Sequence, residues 1–514
     1  MSLEVTLINP PILKIPSPFV LKPTPPLGLS LIAAQIENEG FKVNVIDCIA
    51  EDPKNEELFS NNIVKFGLSD EEILKKIDPK SDVIGISCMF SDNWLHSKIL
   101  IDKIGEKFNN VKIIAGGEHI TAAVKSSLEE TKHLYAAILG EGESTIVDFL
   151  SHLKNKISIE NCPGIAFKKN GLVIINNRRN RITEPDKVSW PAWHLFPIEK
   201  YRTHNISYGV TNSLSLPILA TRGCPYECTF CSSPQMWGRK YVMRQPEEVF
   251  NEIKYFHEIY GAKNFDFYDL TAILKREWII SFSKFLIESN INITWQIPAG
   301  TRAEAIDFEV AQHLYKSGCR FITYAPETGS ERMLKIIKKR VRLKAMLNSI
   351  KSSHKAGLNV KLNMIIGFPE ETHIDILKTW WFLIKCSWYG AYDAFPSIFS
   401  AYPGSKMFDD LSESNLIPNN DELYLRILGS SSLNEAPNYC NDVSKNFIIF
   451  YFWFISISFY TSNYLFRPYR FIKFISGLFT KKYTSRAQLT LGEYLNTKVF
   501  VKNSKSKSIE STTY

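Results

Sequence analysis

Three cysteines fall within eight residues of one another in Thr221-Arg222-Gly223-Cys224-Pro225-Tyr226-Glu227-Cys228-Thr229-Phe230-Cys231. Thiolates favour soft metals and iron–sulfur clusters, and so short a loop can wrap one cluster while leaving one iron without a protein ligand. An open iron can coordinate a substrate-like chelator. Closed zinc sites take four ligands, and the first histidine after Cys231 is His257, far outside the usual spacing. A redox dithiol made of Cys228 and Cys231 would leave Cys224 idle. Cys224, Cys228 and Cys231 therefore read as the metal ligands, holding a 4Fe–4S cluster.

The elements that must position this loop alternate in type. Strands are expected at residues 5–8, 42–47, 83–87, 112–115 and 135–139, each followed by a helix-compatible stretch. Ser69 and Glu72 have capping-box spacing. Five β–α units imply a doubly wound parallel sheet with its ligand beyond the carboxyl ends of the strands. Those ends carry Asn9-Pro10, Asp47, Ser87, Gly116-Gly117 and Gly140-Glu141-Gly142. Glycines there suit a large ligand lying close to the backbone, or they turn the chain from strand into helix; the two readings stand about even.

A Pro-containing, polar stretch at 156–208 reads as a linker. The alternation then resumes, with strands expected at 216–221, 264–268, 293–297, 320–325, 359–366 and 394–399. Six such units predict a partial or complete parallel β/α barrel, whose chemistry sits at the carboxyl ends of its strands. The cysteine loop follows the first of them. The organisation expected is thus 1–155 doubly wound domain, 156–208 linker, 209–410 barrel, 411–501 mainly helical extension and 502–514 disordered tail.

A chain of 514 residues with 45% hydrophobic and 22% charged residues is folded and exceeds one ordinary core. Its net charge of +8 includes a basic stretch from Arg467 to Arg486. The cysteines are too few and irregular for a disulfide framework, and MSLEVTLINPP lacks the regions of a signal peptide, so a reducing cytoplasm is expected. Residues 447–459 are apolar and aromatic, and short of the ~20 needed to cross a bilayer. A helix buried on the barrel is the preferred reading. A peripheral membrane helix with Arg467, Arg470 and Lys473 at its polar end is the alternative.

The spacing Cys-x-x-x-Cys-x-aromatic-Cys, with Phe230 as the aromatic, resembles the radical S-adenosylmethionine superfamily. The resemblance implies that the open iron binds S-adenosylmethionine and that an electron donor such as flavodoxin or ferredoxin supplies the electron that cleaves it. Glu327-Thr328-Gly329-Ser330, Gly367-Phe368-Pro369-Glu370-Glu371-Thr372 and Ala401-Tyr402-Pro403-Gly404-Ser405 are similar to later turns of that family, with Glu370 where a second glycine is usual. Phe230, Asp269, Arg302, Glu327, Thr328 and Gly367 are the cofactor-facing positions so implied. Arg302 would meet a cofactor carboxylate.

The preceding domain, with Thr24-Pro25-Pro26-Leu27-Gly28-Leu29, Gly116-Gly117-Glu118-His119 and Gly140-Glu141-Gly142-Glu143, resembles the cobalamin-binding domain of the subfamily of radical methyltransferases and the anaerobic magnesium-protoporphyrin ester cyclase. It implies cobalamin near Asn9, Pro10, Gly28, Ser87, Gly116, Gly117, Gly140, Glu141 and Gly142. The loop after the first strand has no histidine, so no axial histidine is expected. Met89, Phe90 and Trp94 are candidates to cover the corrin, or are core. Methylation of an unactivated carbon in a small-molecule, apolar substrate is the leading expectation. Oxidative cyclisation or rearrangement, and a non-catalytic corrinoid carrier with a structural metal site, are the alternatives. No appended basic RNA-binding domain is read, which argues against nucleic acid.

Overall fold

The computed structural model describes residues 3–16, 23–204, 213–418, 421–430, 432–480, 483, 485, 487–489 and 491–492. The tail expected at 502–514 lies outside the described residues.

Short β-branched runs form β1 (Glu4–Asn9), β2 (Lys42–Asp47), β3 (Val83–Ser87), β4 (Lys112–Gly116) and β5 (Leu134–Ile138), paired in parallel in the order β2-β1-β3-β4-β5. Alternate residues face opposite sides. Val5 and Leu7 join one core with Leu29, Ala33 and Ile36 of α1 (Leu27–Asn38), while Ile8 joins another with Trp94, Leu100 and Ile104 of α2 (Trp94–Lys107). The sheet is therefore wound on both faces, and the strand order reverses between β1 and β3, opening a crevice at their carboxyl ends. Ser69 and Glu72 form the expected capping box on the helix Asp70–Lys76. α3 (Gly142–Lys154) follows β5.

Residues 156–208, read as a linker, in fact extend this sheet with antiparallel β6 (Ile165–Lys169) and β7 (Leu172–Ile175). Their turn is Asn170-Gly171, with φ of 51° and 79°. Two positive φ values in a two-residue hairpin suit Asn-Gly well. A small antiparallel sheet of Ile12–Lys14, Glu56–Ser60 and Ile63–Phe66 is also additional to the expected units.

The second parallel sheet runs β8 (Ser215–Ile218), β9 (Asn264–Phe267), β10 (Thr294–Thr301), β11 (Cys319–Glu327), β12 (Asn359–Ile366) and β13 (Asp393–Ile398) in chain order. β8 and β13 are its two edges, so the barrel is partial. Helices α4 (Pro246–Tyr260), α5 (Arg276–Ser289), α6 (Phe308–Lys316), α7 (Leu343–Lys355) and α8 (His373–Tyr389) connect the strands and cover them. Phe267, Phe282 and Trp295 pack ring on ring in the core. Thr221, expected to end the first strand, instead leaves the sheet and with Arg222 pairs with Val242–Met243 as a ribbon from which the cysteine loop hangs.

The C-terminal region is helical, ending in α9 (Lys445–Phe466) and α10 (Pro468–Thr480). Ile448, Phe452, Ile455 and Phe459 are buried against α8 and β13, while Phe447, Phe450, Trp453 and Ile457 are exposed. α9 is the one described helix long and apolar enough to span a membrane, and 39% of its most apolar window is buried. Arg467 and Arg470 are engaged within the fold. They donate to the carbonyls of Ser387, Trp388, Gly390 and Ala391 around the end of α8, where cations are favoured.

Candidate functional site

The cysteine loop begins where the ribbon turns. Gly223 has φ +84°, and a side chain there would run into the carbonyl of Lys240. Cys224, Cys228 and Cys231 are free and partly accessible, whereas the other six cysteines are buried. No group of three His, Cys, Asp or Glu among the described residues converges on a single ion. Around one zinc, thiolates would lie roughly 3.8 Å apart given bonds of about 2.3 Å; the corners of a cluster hold them further apart. The donor set, three accessible thiols with no fourth, fits an iron–sulfur cluster with one iron left open. Burial pushes the Cys228 thiol up to about 11, with Lys339 pulling it down.

Lys339, which sequence reasoning missed, is a cation set beside this loop. Its Nζ lies 2.8 Å from Glu327 and 5.8 Å from the centre of the Phe230 ring. Phe230 in turn packs on Phe368, with ring centres 5.7 Å apart. Glu327, at the end of β11, has φ +66°, an unusual backbone for a non-glycine residue that directs its carboxylate to Lys339. The buried pair places one cation beside the cysteines. No local motif signals it, because Lys339 lies in an ordinary-looking run of basic residues.

Several of the residues expected at the cofactor have protein partners. Asp269 is buried and accepts from Thr221 Oγ1 at 2.5 Å, so it fastens the start of the cysteine loop; burial pushes its carboxyl up to about 6. Thr328 is buried and bonds Thr379 at 2.9 Å. Arg302 stacks on Tyr226, its guanidinium 4.4 Å from the ring centre, pairs with Glu304 at 3.2 Å, and donates to the carbonyl of Arg340. Gly367 has φ +86° and donates its N–H to Glu371 at 2.5 Å, while Ile448 of α9 sits directly above it.

Glu371 holds that turn from a buried position, and burial pushes its carboxyl up to about 8 from an ordinary 4.5. Folding therefore takes up a proton between these values, and stability falls as pH rises through that window, by at most about 1.4 kcal/mol per pH unit. In Glu371→Gln this slope is expected to vanish. The melting temperature of the variant should gain a few degrees on the native chain between pH 6 and pH 9; an equal difference at both pH values would contradict the assignment.

At the edge of the first sheet, Asn9 bonds Asp47 at 2.8 Å and Pro10 is buried beside it. Gly117 has φ +122°, and a Cβ there would lie 2.5 Å from the Cys88 carbonyl, so this glycine serves the close approach of two turns. Gly116 and Ser87 are aligned neighbours at the ends of β4 and β3. Gly28 has open space where its side chain would be, and Gly140 meets only the Met236 carbonyl at 3.7 Å. Gly142 faces Ile32 inside the helix packing. Trp94 is core, its indole donating to Glu130 at 2.9 Å. Met89 and Phe90 instead stand exposed at the carboxyl end of β3, Phe90 at 66%. The nearby histidine, His119, is buried on Trp94 and Ser91, and burial lowers it to about 3. An apolar lip with open positions at Gly28 and Gly140 fits a flat corrin.

Glu141 belongs to a different device. It accepts from Arg181 at 2.6 Å and from Arg222 at 3.1 Å, and Arg222 also pairs with Glu143 at 2.6 Å. Burial opposes charge on Glu141, but Arg181 and Arg222 more than offset it and hold its carboxyl below the usual range. Arg222 lies two residues before Cys224, so the first domain grips the root of the cysteine loop. Glu118, after β4, adds a hydrogen bond from Ser232, just beyond Cys231. The strand ends of the two domains thus face one shared space.

The radical SAM superfamily model matches residues 218–380, and the B12 binding domain model matches residues 20–150. An uncharacterised methyltransferase of Pyrococcus horikoshii is 29% identical over 76% of this chain and 80% of its own. Cytidylyl-2-hydroxyethylphosphonate methyltransferase of Streptomyces wedmorensis is 30% identical over 67% of this chain and 69% of its own. Among solved structures, the radical S-adenosylmethionine methyltransferase TsrM of Kitasatospora setae, with cobalamin and a [4Fe-4S] cluster bound, shares the fold. Its TM-score is 0.63 at 16% identity, over 80% of this chain and 75% of that one.

Proposed function

Because the chain belongs to the cobalamin-binding radical S-adenosylmethionine family, we propose that it methylates an unactivated carbon of a small-molecule substrate. The observation that carries this reading is the grip of Glu141 and Glu143 on Arg222, which fixes the strand ends of one domain over the cysteine loop of the other. Such an arrangement lets two cofactors act on different faces of one substrate. When bound, the cluster and S-adenosylmethionine supply a hydrogen-abstracting radical, and cobalamin supplies a methyl group.

The chain's own residues hold and shield this chemistry. Cys224, Cys228 and Cys231 ligate the cluster, leaving one iron for S-adenosylmethionine. Lys339 offsets negative charge at the thiolates, and the Phe230–Phe368 pair packs beside it. Met89 and Phe90, exposed at the carboxyl end of β3, would shield bound cobalamin, and Gly140 would leave room for it. α9 packs on α8 and β13 and sets Ile448 over Gly367 at the carboxyl end of β12, an apolar group at the end of the strands where the substrate would bind. All nine cysteines are free, which supports a reducing cytoplasm and a cytoplasmic reductant such as flavodoxin or ferredoxin.

Turnover of the reconstituted enzyme with S-adenosylmethionine labelled in its methyl group tests the reading. Label is expected in the product. Recovery of all label in methionine or unreacted S-adenosylmethionine, beside a cyclised or rearranged product, would contradict methyl transfer and give oxidative cyclisation instead.

A further inference from the structure

Residues 335–344, Lys-Ile-Ile-Lys-Lys-Arg-Val-Arg-Leu-Lys, contain six cations and no carboxylate. All of them but Ile336 and Ile337 line an open cleft of about 560 Å³ beside the cysteine loop, together with Tyr226, the Arg239–Glu227 ion pair and Glu331, so that cations far outnumber carboxylates there. Lys339 turns inward to Glu327. Lys335, Lys338, Arg340, Arg342 and Lys344 are exposed, and their side chains enter no ion pair or hydrogen bond among the described residues.

Two features set this ridge apart from an ordinary solvated face. It is fastened to the cluster loop: the N–H of Thr229, between Cys228 and Cys231, donates to the Ile337 carbonyl at 3.1 Å, and Arg302 joins Tyr226 to the Arg340 carbonyl. It also works against local stability. Arg342 is the N-cap of α7 and Lys344 lies in its first turn, where no acidic residue balances the positive end of the helix dipole. Clustered unpaired cations at a helix N-terminus cost stability and create a strongly positive field beside the cysteines.

We propose that this basic cleft is the docking surface for an acidic one-electron carrier protein, of the flavodoxin or ferredoxin kind, that reduces the cluster. The proposal rests on the radical-enzyme reading above. One electron leaves the carrier's reduced centre and enters the cluster; the carrier is oxidised by one electron, the cluster is reduced by one, and no bond forms or breaks between them. The Thr229–Ile337 hydrogen bond and the Tyr226 and Phe230 rings give the electron a short route from the cleft to the thiolates. Electron-transfer encounters are small interfaces, below about 1,200 Å², and depend on charge steering more than on area. A ridge of unpaired cations on one cleft is suited to that.

The test uses the full chain with its cluster loaded, in native form and as Lys335→Glu/Lys338→Glu/Arg342→Glu/Lys344→Glu, with the four-fold Gln variant as an intermediate charge state. Cluster reduction is followed by stopped flow with photoreduced flavodoxin at rising ionic strength, and with reduced methyl viologen, a small cation. The native rate with flavodoxin should fall at least about tenfold between 50 and 500 mM salt. The Glu variant should be about 100-fold slower at low salt, because it repels the carrier, and should speed up as salt screens the repulsion, with the Gln variant between and least sensitive to salt. Viologen should reduce all three proteins at least as fast as the native one, which shows that folding and cluster survive. Equal flavodoxin rates in native and Glu proteins would overturn the docking site. Loss of polyanion binding in the Glu variant with an unchanged flavodoxin rate would overturn it in favour of a nucleic-acid surface. Failure of viologen to reduce any cluster in the native chain would overturn the enzyme reading, and the docking site with it.

Discussion

Replacing Cys228 by alanine is expected to remove cluster iron and reduce 5′-deoxyadenosine formation from S-adenosylmethionine to background. The loop offers three thiols and no fourth ligand, so a cluster already short of one protein ligand would lose a second. Neighbouring thiols cannot substitute, because the other six cysteines are buried elsewhere in the fold. Cys162→Ala, in the core of the first domain, is the control: it should cost some stability and leave iron content unchanged. Cobalamin binding should survive in Cys228→Ala, since its residues lie on the other domain. A variant that kept its function with cobalamin bound and iron absent would support the carrier reading, in which the metal loop is only structural.

The second large effect is expected at Arg222. Its guanidinium is shared by Glu141 and Glu143, and all three side chains are at most 8% exposed. Arg222→Met keeps the apolar stem of the side chain but leaves Glu143 buried without its ion-pair partner, and Glu141 with Arg181 alone. Breaking a buried network on one side costs about 3–5 kcal/mol. The loss should appear as a lower melting temperature and as faster proteolysis within residues 156–204, the connection between the domains. Adding Glu143→Gln to Arg222→Met should restore part of the loss, because a neutral side chain tolerates burial better than an orphaned carboxylate. A single Arg222→Met variant as stable as the native chain would show that the two domains are not held by this grip.

How much of this was legible in the sequence depended on range. The parallel strands announced themselves because each is a short apolar run with its own turn, and β2, β3 and β12 match their expected limits. The hairpin of β6 and β7 was also locally written, in Asn170-Gly171, but the prolines and polar residues around it hid the signal under a linker composition. The cysteine ligands could be read from spacing alone. Their surroundings could not. Glu141 sits in a glycine-rich turn that suits a ligand, and only the folded chain shows Arg222, distant in sequence, occupying it. Arg302 and Asp269 were expected to face the cofactor, and only the folded chain shows Arg302 stacked on Tyr226 and Asp269 accepting from Thr221. Lys339 and the ridge around it carried no pattern beyond charge. The membrane alternative for the C-terminal helix drew on Arg467 and Arg470, whose engagement with the end of α8 is a tertiary fact.

The central claim is that one chain holds both an open-iron cluster and a corrinoid. Anaerobic reconstitution followed by iron, sulfide and cobalt analysis, with an ultraviolet–visible spectrum, tests it most directly. About four irons, four sulfides and one cobalt per chain are expected, with the charge-transfer absorption of the cluster overlaid by corrin bands. Full iron and sulfide with no cobalt retained would contradict it, and would leave a radical enzyme without its methyl carrier.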